Sequence, residues 1–175
     1  MISQDALAGF QAMAGNFIPL ISGSAAKLYG LWLVAGAVIK MIKMGDTQSG
    51  ERVTWFQVGG MMMIGAFMLQ FSSTMQDVSS LLFGSRIQDY HGALAYMPMP
   101  EQSSSYYKKV LEVCLLWLVM LGWAGAFRGF AAWAKAANGA GNGQDGDQFW
   151  KGLWHIFGGA ALINLTGAFQ AFYGH

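Results

Sequence analysis

Four long apolar runs, and the scarcity of charge inside them, leave this chain few ways to fold. They cover about 24–42, 53–71, 106–137 and 149–173, and polar or glycine-rich breaks separate them. Only 11% of the residues are charged against 54% hydrophobic, with a mean hydropathy of +0.36. A water-facing domain carries roughly a quarter charged residues, so these runs read as membrane-spanning helices. The expected architecture is all-α: four transmembrane helices forming two tandem helical hairpins, preceded by a short amphipathic helix. The chain divides into 1–84 (N-terminal helix and first hairpin), a polar Pro/Ser-containing connector over 85–105, and 106–175 (second hairpin).

Two strings occur twice and in the same order. Leu31-Trp32-Leu33-Val34 returns as Leu116-Trp117-Leu118-Val119, an offset of 85 (116 − 31), and Trp55-x-x-x-Gly59-Gly60 returns as Trp154-x-x-x-Gly158-Gly159, an offset of 99 (154 − 55). Matched order inside apolar runs points to a duplicated hairpin. The glycine-rich stretch 138–147 then accounts for the extra residues of the second copy.

Boundaries follow from local chemistry. Apolar residues three or four apart over Ile2–Phe17 form a helical face with little charge, the pattern of an interfacial helix that Pro19 ends. Ser22 and Ser24 are candidate caps of the first span. The second run continues past Phe71 at helical spacing, predicting one long helix stopping at Gly84, and the fourth predicts one helix over Phe149–Tyr173. Pro98 and Pro100 break any helix in the connector, where Tyr90, Leu94, Tyr96 and Met97 provide apolar surface to order it. No basic segment precedes the first apolar stretch, so a cleaved leader of ordinary form is not expected.

Four spans put both termini on one side. Lys40, Lys43, Arg52, Arg128, Lys135 and Lys151 flank the two short turns; Lys27, Arg86, Lys108 and Lys109 lie at the other side. Six against four favours cytoplasmic turns, with termini and connector periplasmic. The six also suit contact with anionic phospholipid or the lining of a passage for a polyanion.

Catalysis finds little purchase. His91, His155 and His175 lack partners at metal-binding spacing, the single Cys114 excludes an internal disulfide, and no nucleotide or serine-hydrolase motif is present. A net charge of +1 argues against sequence-specific nucleic-acid binding. The candidate mid-span polar groups are Gln57, Gln70, Asn164 and Gln170, with no acid–base series for a proton relay. The glycines Gly59, Gly60, Gly65, Gly122, Gly125, Gly129, Gly158 and Gly159 permit close helix approach, and Asn164 offers an interhelical hydrogen bond. They serve either internal packing or assembly with further copies. Neither catalytic nor metal residues, nor any cofactor beyond a bound phospholipid, are expected.

The stretch Phe149-Trp-Lys-Gly-Leu-Trp-His-Ile-Phe-Gly-Gly-Ala-Ala-Leu-Ile-Asn164, with Trp55 to Gly65 and its Ser-Ser-Thr tail, resembles small inner-membrane proteins of I-type plasmid conjugation and type IVB secretion systems, the TraQ and DotE/IcmC group. The resemblance implies a non-enzymatic bacterial inner-membrane component of a machine that exports single-stranded DNA–protein substrate or effectors, partnered by other secretion proteins. Each half is also similar in layout to a conjugative pilin, which implies homo-oligomerisation into a pilus or channel. The alternatives are an accessory protein stabilising the complex, a small transporter, or a redox-enzyme membrane anchor using His155. The last lacks a paired histidine, since Phe56 stands at the matching place in the first half.

Overall fold

A computed structural model describes residues 4–45, 53–97, 105–139 and 145–173. Every regular element among them is helical: α1 (Gln4–Pro19), a π-helical turn (Leu20–Ala25), α2 (Ala26–Gly45), α3 (Trp55–Leu69), α4 (Phe71–Phe83), a 3-10 helix (Tyr90–Tyr96), α5 (Ser105–Ala137), α6 (Asp145–Ile163) and α7 (Leu165–Tyr173). Two of the helical stretches, Gln4–Gly45 and Ser105–Ala137, are long and apolar enough to cross a membrane, and there are up to four candidates if each of two bent pairs is one span.

α1 ends at Pro19, as expected, but the chain does not leave the helical path there. A π-helical turn follows directly and leads into α2, so that Gln4–Gly45 is one helical stretch of 42 residues. Ser22 bonds back to the Ile18 carbonyl at 2.8 Å instead of capping a new helix. At about 1.5 Å per residue the stretch is about 63 Å long, twice the roughly 30 Å hydrocarbon core of a bilayer.

The second and fourth apolar runs are each broken where a continuous helix was predicted. Gln70 leaves the helical region (φ −110°, ψ 36°) and α4 departs from α3 at 93°. Asn164 separates α6 from α7 at 89°. α4 does stop at Gly84, in the left-handed conformation that glycine tolerates (φ 67°). Thr54 starts α3 with a reciprocal cap: its hydroxyl accepts from the Gln57 N–H, and the Gln57 side chain accepts from the Thr54 N–H. Gln57 is therefore a capping residue at a helix start, not a mid-span group.

α2 packs along α3, and α5 along α6, giving two hairpins. They stand parallel. Gly60 near the start of α3 lies against Ala137 at the end of α5, and the Lys40 ammonium donates to the Asn138 carbonyl at 3.4 Å, so both turns share one end. The core between the hairpins is aromatic: Phe71 makes edge contacts with Trp123, Phe127 and Phe130, and Tyr29 meets Phe127 at 5.5 Å.

The duplication is visible in backbone geometry, but in a different register from the matched strings. A Cβ on Gly30 would sit 2.8 Å from both the Gly65 carbonyl oxygen and the Leu69 nitrogen, and one on Gly65 would meet Val34. In the second hairpin a Cβ on Gly122 would sit 2.9 Å from the Gly159 oxygen and the Ile163 nitrogen, and one on Gly159 would meet Ala126. First helices thus correspond at an offset of 92 (122 − 30, 126 − 34), second helices at 94 (159 − 65, 163 − 69). The offset of 94 also carries Gln70 onto Asn164, so the two right-angle bends are equivalent. The tetrapeptide and W-x-x-x-G-G offsets of 85 and 99 do not align the halves, and the copies differ by two residues between crossings rather than fourteen. Apolar strings repeat freely along lipid-facing helices; the closest backbone crossings need small residues, here Gly30 with Gly65 and Gly122 with Gly159, and so mark the register.

Candidate functional site

The most constrained chemistry lies at the end away from the turns, where α4, the connector and α7 lie across the hairpins. Asn164 is fully buried at the α6–α7 bend. Its amide nitrogen donates to the Ser79 hydroxyl at 2.7 Å and lies 3.3–3.4 Å from the Ser85 and Arg86 carbonyls. Its oxygen accepts from the backbone N–H of Gln88 (3.2 Å) and Gly167 (3.1 Å). One side chain therefore caps α7, holds α4 and fixes the start of the connector. Thr166 extends the brace by donating to the Asp89 carbonyl at 2.8 Å, and Gln88 donates to Gln170 at 3.4 Å. Residues 85–97 of the connector are held by these bonds and by stacking of Tyr96 on Phe169. In the 3-10 segment the Tyr90 phenol is held above its ordinary pKa by burial, then by the negative charges of Asp89 and Glu112.

The predicted basic residues gather at the opposite end. Lys40 ties α2 to Asn138 at the end of α5, Lys43 lies in the last turn of α2, Lys135 is exposed near the end of α5, and Lys151 is paired with Asp147 in the first turns of α6. Arg128 is exposed about two turns before Lys135 on α5, beside the Gly129–Gly152 crossing. Arg52 lies outside the described residues. Close by, Thr54, Phe56, Met63, Trp133, Gly139 and Phe149 border an apolar cavity of about 620 Å³ between α3, the end of α5 and the start of α6. Trp133 stacks on Phe149 at 5.4 Å and its indole N–H donates to the Phe149 carbonyl at 2.9 Å.

The glycines divide by use. Gly65, Gly122, Gly129 and Gly159 sit at backbone crossings within the hairpins, and Gly60 at the contact between them. Gly59 and Gly158 face open space, and Gly125 borders an exposed groove of about 310 Å³ with Trp154, His155 and Gly158. Sequence reasoning missed Gly152, which accepts the Trp133 indole edge and crosses Gly129. Its i, i+7 spacing to Gly159 on α6, matching Gly122 and Gly129 on α5, was the available signal.

His155 is exposed, with Nδ1 at 2.6 Å from the Lys151 carbonyl. Among the described residues no three His, Cys, Asp or Glu side chains are grouped to hold a metal ion. Set against protein-family models, curated proteins and solved structures, the chain finds no match.

Proposed function

We propose that this chain is a structural, non-enzymatic subunit of a bacterial inner-membrane assembly, a pilin-like component of a conjugative or type IVB secretion apparatus. In this reading both bent pairs are spans, the four spans form two tandem hairpins, and the basic turns face the cytoplasm. Copies associate with each other and with other secretion proteins, and the assembly contributes to a pilus or membrane channel for DNA–protein substrate. The observation that carries the reading is the pair of parallel hairpins with the same glycine crossing and the same bend. Internally repeated units with large exposed apolar faces are the construction of assemblies that stack like on like. The basic end suits anionic lipid or the transit of a polyanion.

The test is to image sheared filaments and solubilised envelope complexes from donor cells carrying a tagged copy of the chain. The chain is expected as a repeating subunit, and its deletion is expected to abolish transfer. A strictly monomeric protein in mild detergent, absent from filaments and complexes alike, would overturn the proposal.

A further inference from the structure

The internal repeat makes it possible to compare a face that is covered in one hairpin with its counterpart in the other. In hairpin 1, Gly60 lies against Ala137 and Tyr29 against Phe127 of hairpin 2, and Leu33, Met61, Ile64 and Met68 are buried in the shared core, each 5% exposed or less. Adding 92 on the first helix and 94 on the second carries these six onto Leu121, Gly125, Trp154, His155, Gly158 and Leu162. Those are the residues that line the groove on the outer face of hairpin 2, together with Gly159 at the crossing. Leu121 is 52% and Trp154 69% exposed. The same face is thus filled in hairpin 1 and open in hairpin 2.

The receiving surface behaves in the complementary way. Hairpin 2 meets hairpin 1 with one stripe of α5: Trp123, Phe127, Phe130, Ala134 and Ala137, all packed in or against the core. Subtracting 92 carries the stripe onto Leu31, Ala35, Val38, Ile42 and Gly45 of α2. These lie four, three, four and three residues apart, on one side of the helix. Leu31, Val38 and Ile42 are 59%, 43% and 70% exposed, so this surface lies open.

We propose that the α2 stripe of one copy of this chain docks in the Gly125–Gly158 groove of the next copy, repeating between chains the contact that joins hairpin 1 to hairpin 2 within one. The two faces differ, so the contact is head-to-tail and propagates into a ring or filament instead of closing as a two-fold dimer. Side-chain sizes agree with it. Within the chain, Gly60 lies against Ala137; between chains the equivalents are Trp154 and Gly45, a large residue facing one without a side chain. Gly45 and Gly158 both have nothing within 4 Å of a built Cβ, so each is free to take a partner. The inference rests on the proposed function only in taking the hairpins as membrane-embedded, and stands apart from the secretion reading.

The intrachain contact sets the test. A Cβ on Gly60 would lie 2.9 Å from the Ala137 Cβ, so cysteines at the equivalent positions, Gly45 and Trp154 of adjacent copies, should lie within disulfide reach after a small adjustment. In a Cys114→Ser background, the Gly45→Cys, Trp154→Cys double variant is oxidised in native membranes and run on a non-reducing gel. The expected result is a ladder of dimers, trimers and higher species, with neither single variant giving more than monomer. Monomer alone from the double variant would mean that lipid covers the groove, and dimers from a single variant would mean a two-fold contact. Either overturns the proposal. Adding Gly158→Trp, which fills the groove without meeting the fold, should abolish the ladder; a persisting ladder overturns the assigned groove. A ladder in cells whose filaments and secretion complexes lack the chain would refute the secretion reading and leave this interface standing.

Discussion

Replacing Asn164 by alanine tests the brace that fixes the bent ends. The side chain is fully buried, and its removal leaves the buried Gly167 N–H and the Gln88 N–H without their acceptor and the Ser79 hydroxyl without its donor. A hydrogen bond contributes about 0.5–1.5 kcal/mol net, and a buried polar group left unpaired costs about 1–3 kcal/mol. With two buried bonds lost, and some relief from water entering at the connector, the expected loss is about 2–4 kcal/mol. Gln70→Ala is the internal control. Gln70 occupies the equivalent bend, but its side chain is exposed, so the change should stay within about 0.5 kcal/mol. Stability is measured by unfolding in mixed micelles with rising denaturing detergent, alongside limited proteolysis of the 85–97 connector. Asn164→Ala should lower the midpoint and open the connector to cleavage. Equal effects of the two substitutions would refute the reasoning.

Neighbouring glycines separate crossings from open faces. Gly159→Leu should dismantle the second hairpin, since its Cβ would press on the Gly122 carbonyl, whereas Gly158→Ala meets open space and should hold or raise the unfolding midpoint, by up to about 1 kcal/mol. Thr54→Ala removes the reciprocal cap of α3 and should cost about 1 kcal/mol by the same unfolding measurement. Trp133→Phe keeps the stack on Phe149 but removes the indole donor, and should cost about 0.5–1.5 kcal/mol. Tyr90→Phe should remove one phenolate transition from above pH 10 in an absorbance titration. The folded pKa is raised, so the Tyr90 contribution is present below the ordinary tyrosine pKa and fades as pH rises through the raised value. Loss of a transition at or below pH 10 would contradict the assigned burial.

The sequence exposes the large features of this fold through hydropathy and turn chemistry. Four apolar runs, the polar break before Val53, the glycine-rich stretch after Ala137 and the stop at Gly84 all appear in the chain without further help. α5 occupies Ser105–Ala137, within a residue of the apolar run. The bends were hidden because a lone Gln70 or Asn164 inside an apolar run breaks no helix by itself; tertiary bonds decide it at Asn164. Pro19 does end α1, but the π-turn that carries the chain on into α2 has no comparable mark in the sequence. A usable signal for the register did exist. Gly65-Ala66 five residues before Gln70-Phe71 matches Gly159-Ala160 five residues before Asn164-Leu165, and that string gives the structural offset of 94. The candidate residues fared unevenly for a related reason. Spacing identifies glycines able to serve as crossings, but which glycine faces a neighbour depends on helix rotation, and Gly158 and Gly159 differ in nothing else.

The central claim is that two hairpins stand parallel across one membrane with both turns on the same side. It is tested most directly by labelling single cysteines in intact cells with a membrane-impermeant thiol reagent, in the Cys114→Ser background. The account predicts that Ser49→Cys and Asn142→Cys, in the two turns, are both protected until the membrane is opened, while Ser103→Cys in the connector is labelled from outside. Labelling of Ser49→Cys and Asn142→Cys from opposite sides, or of all three from one side, would contradict it.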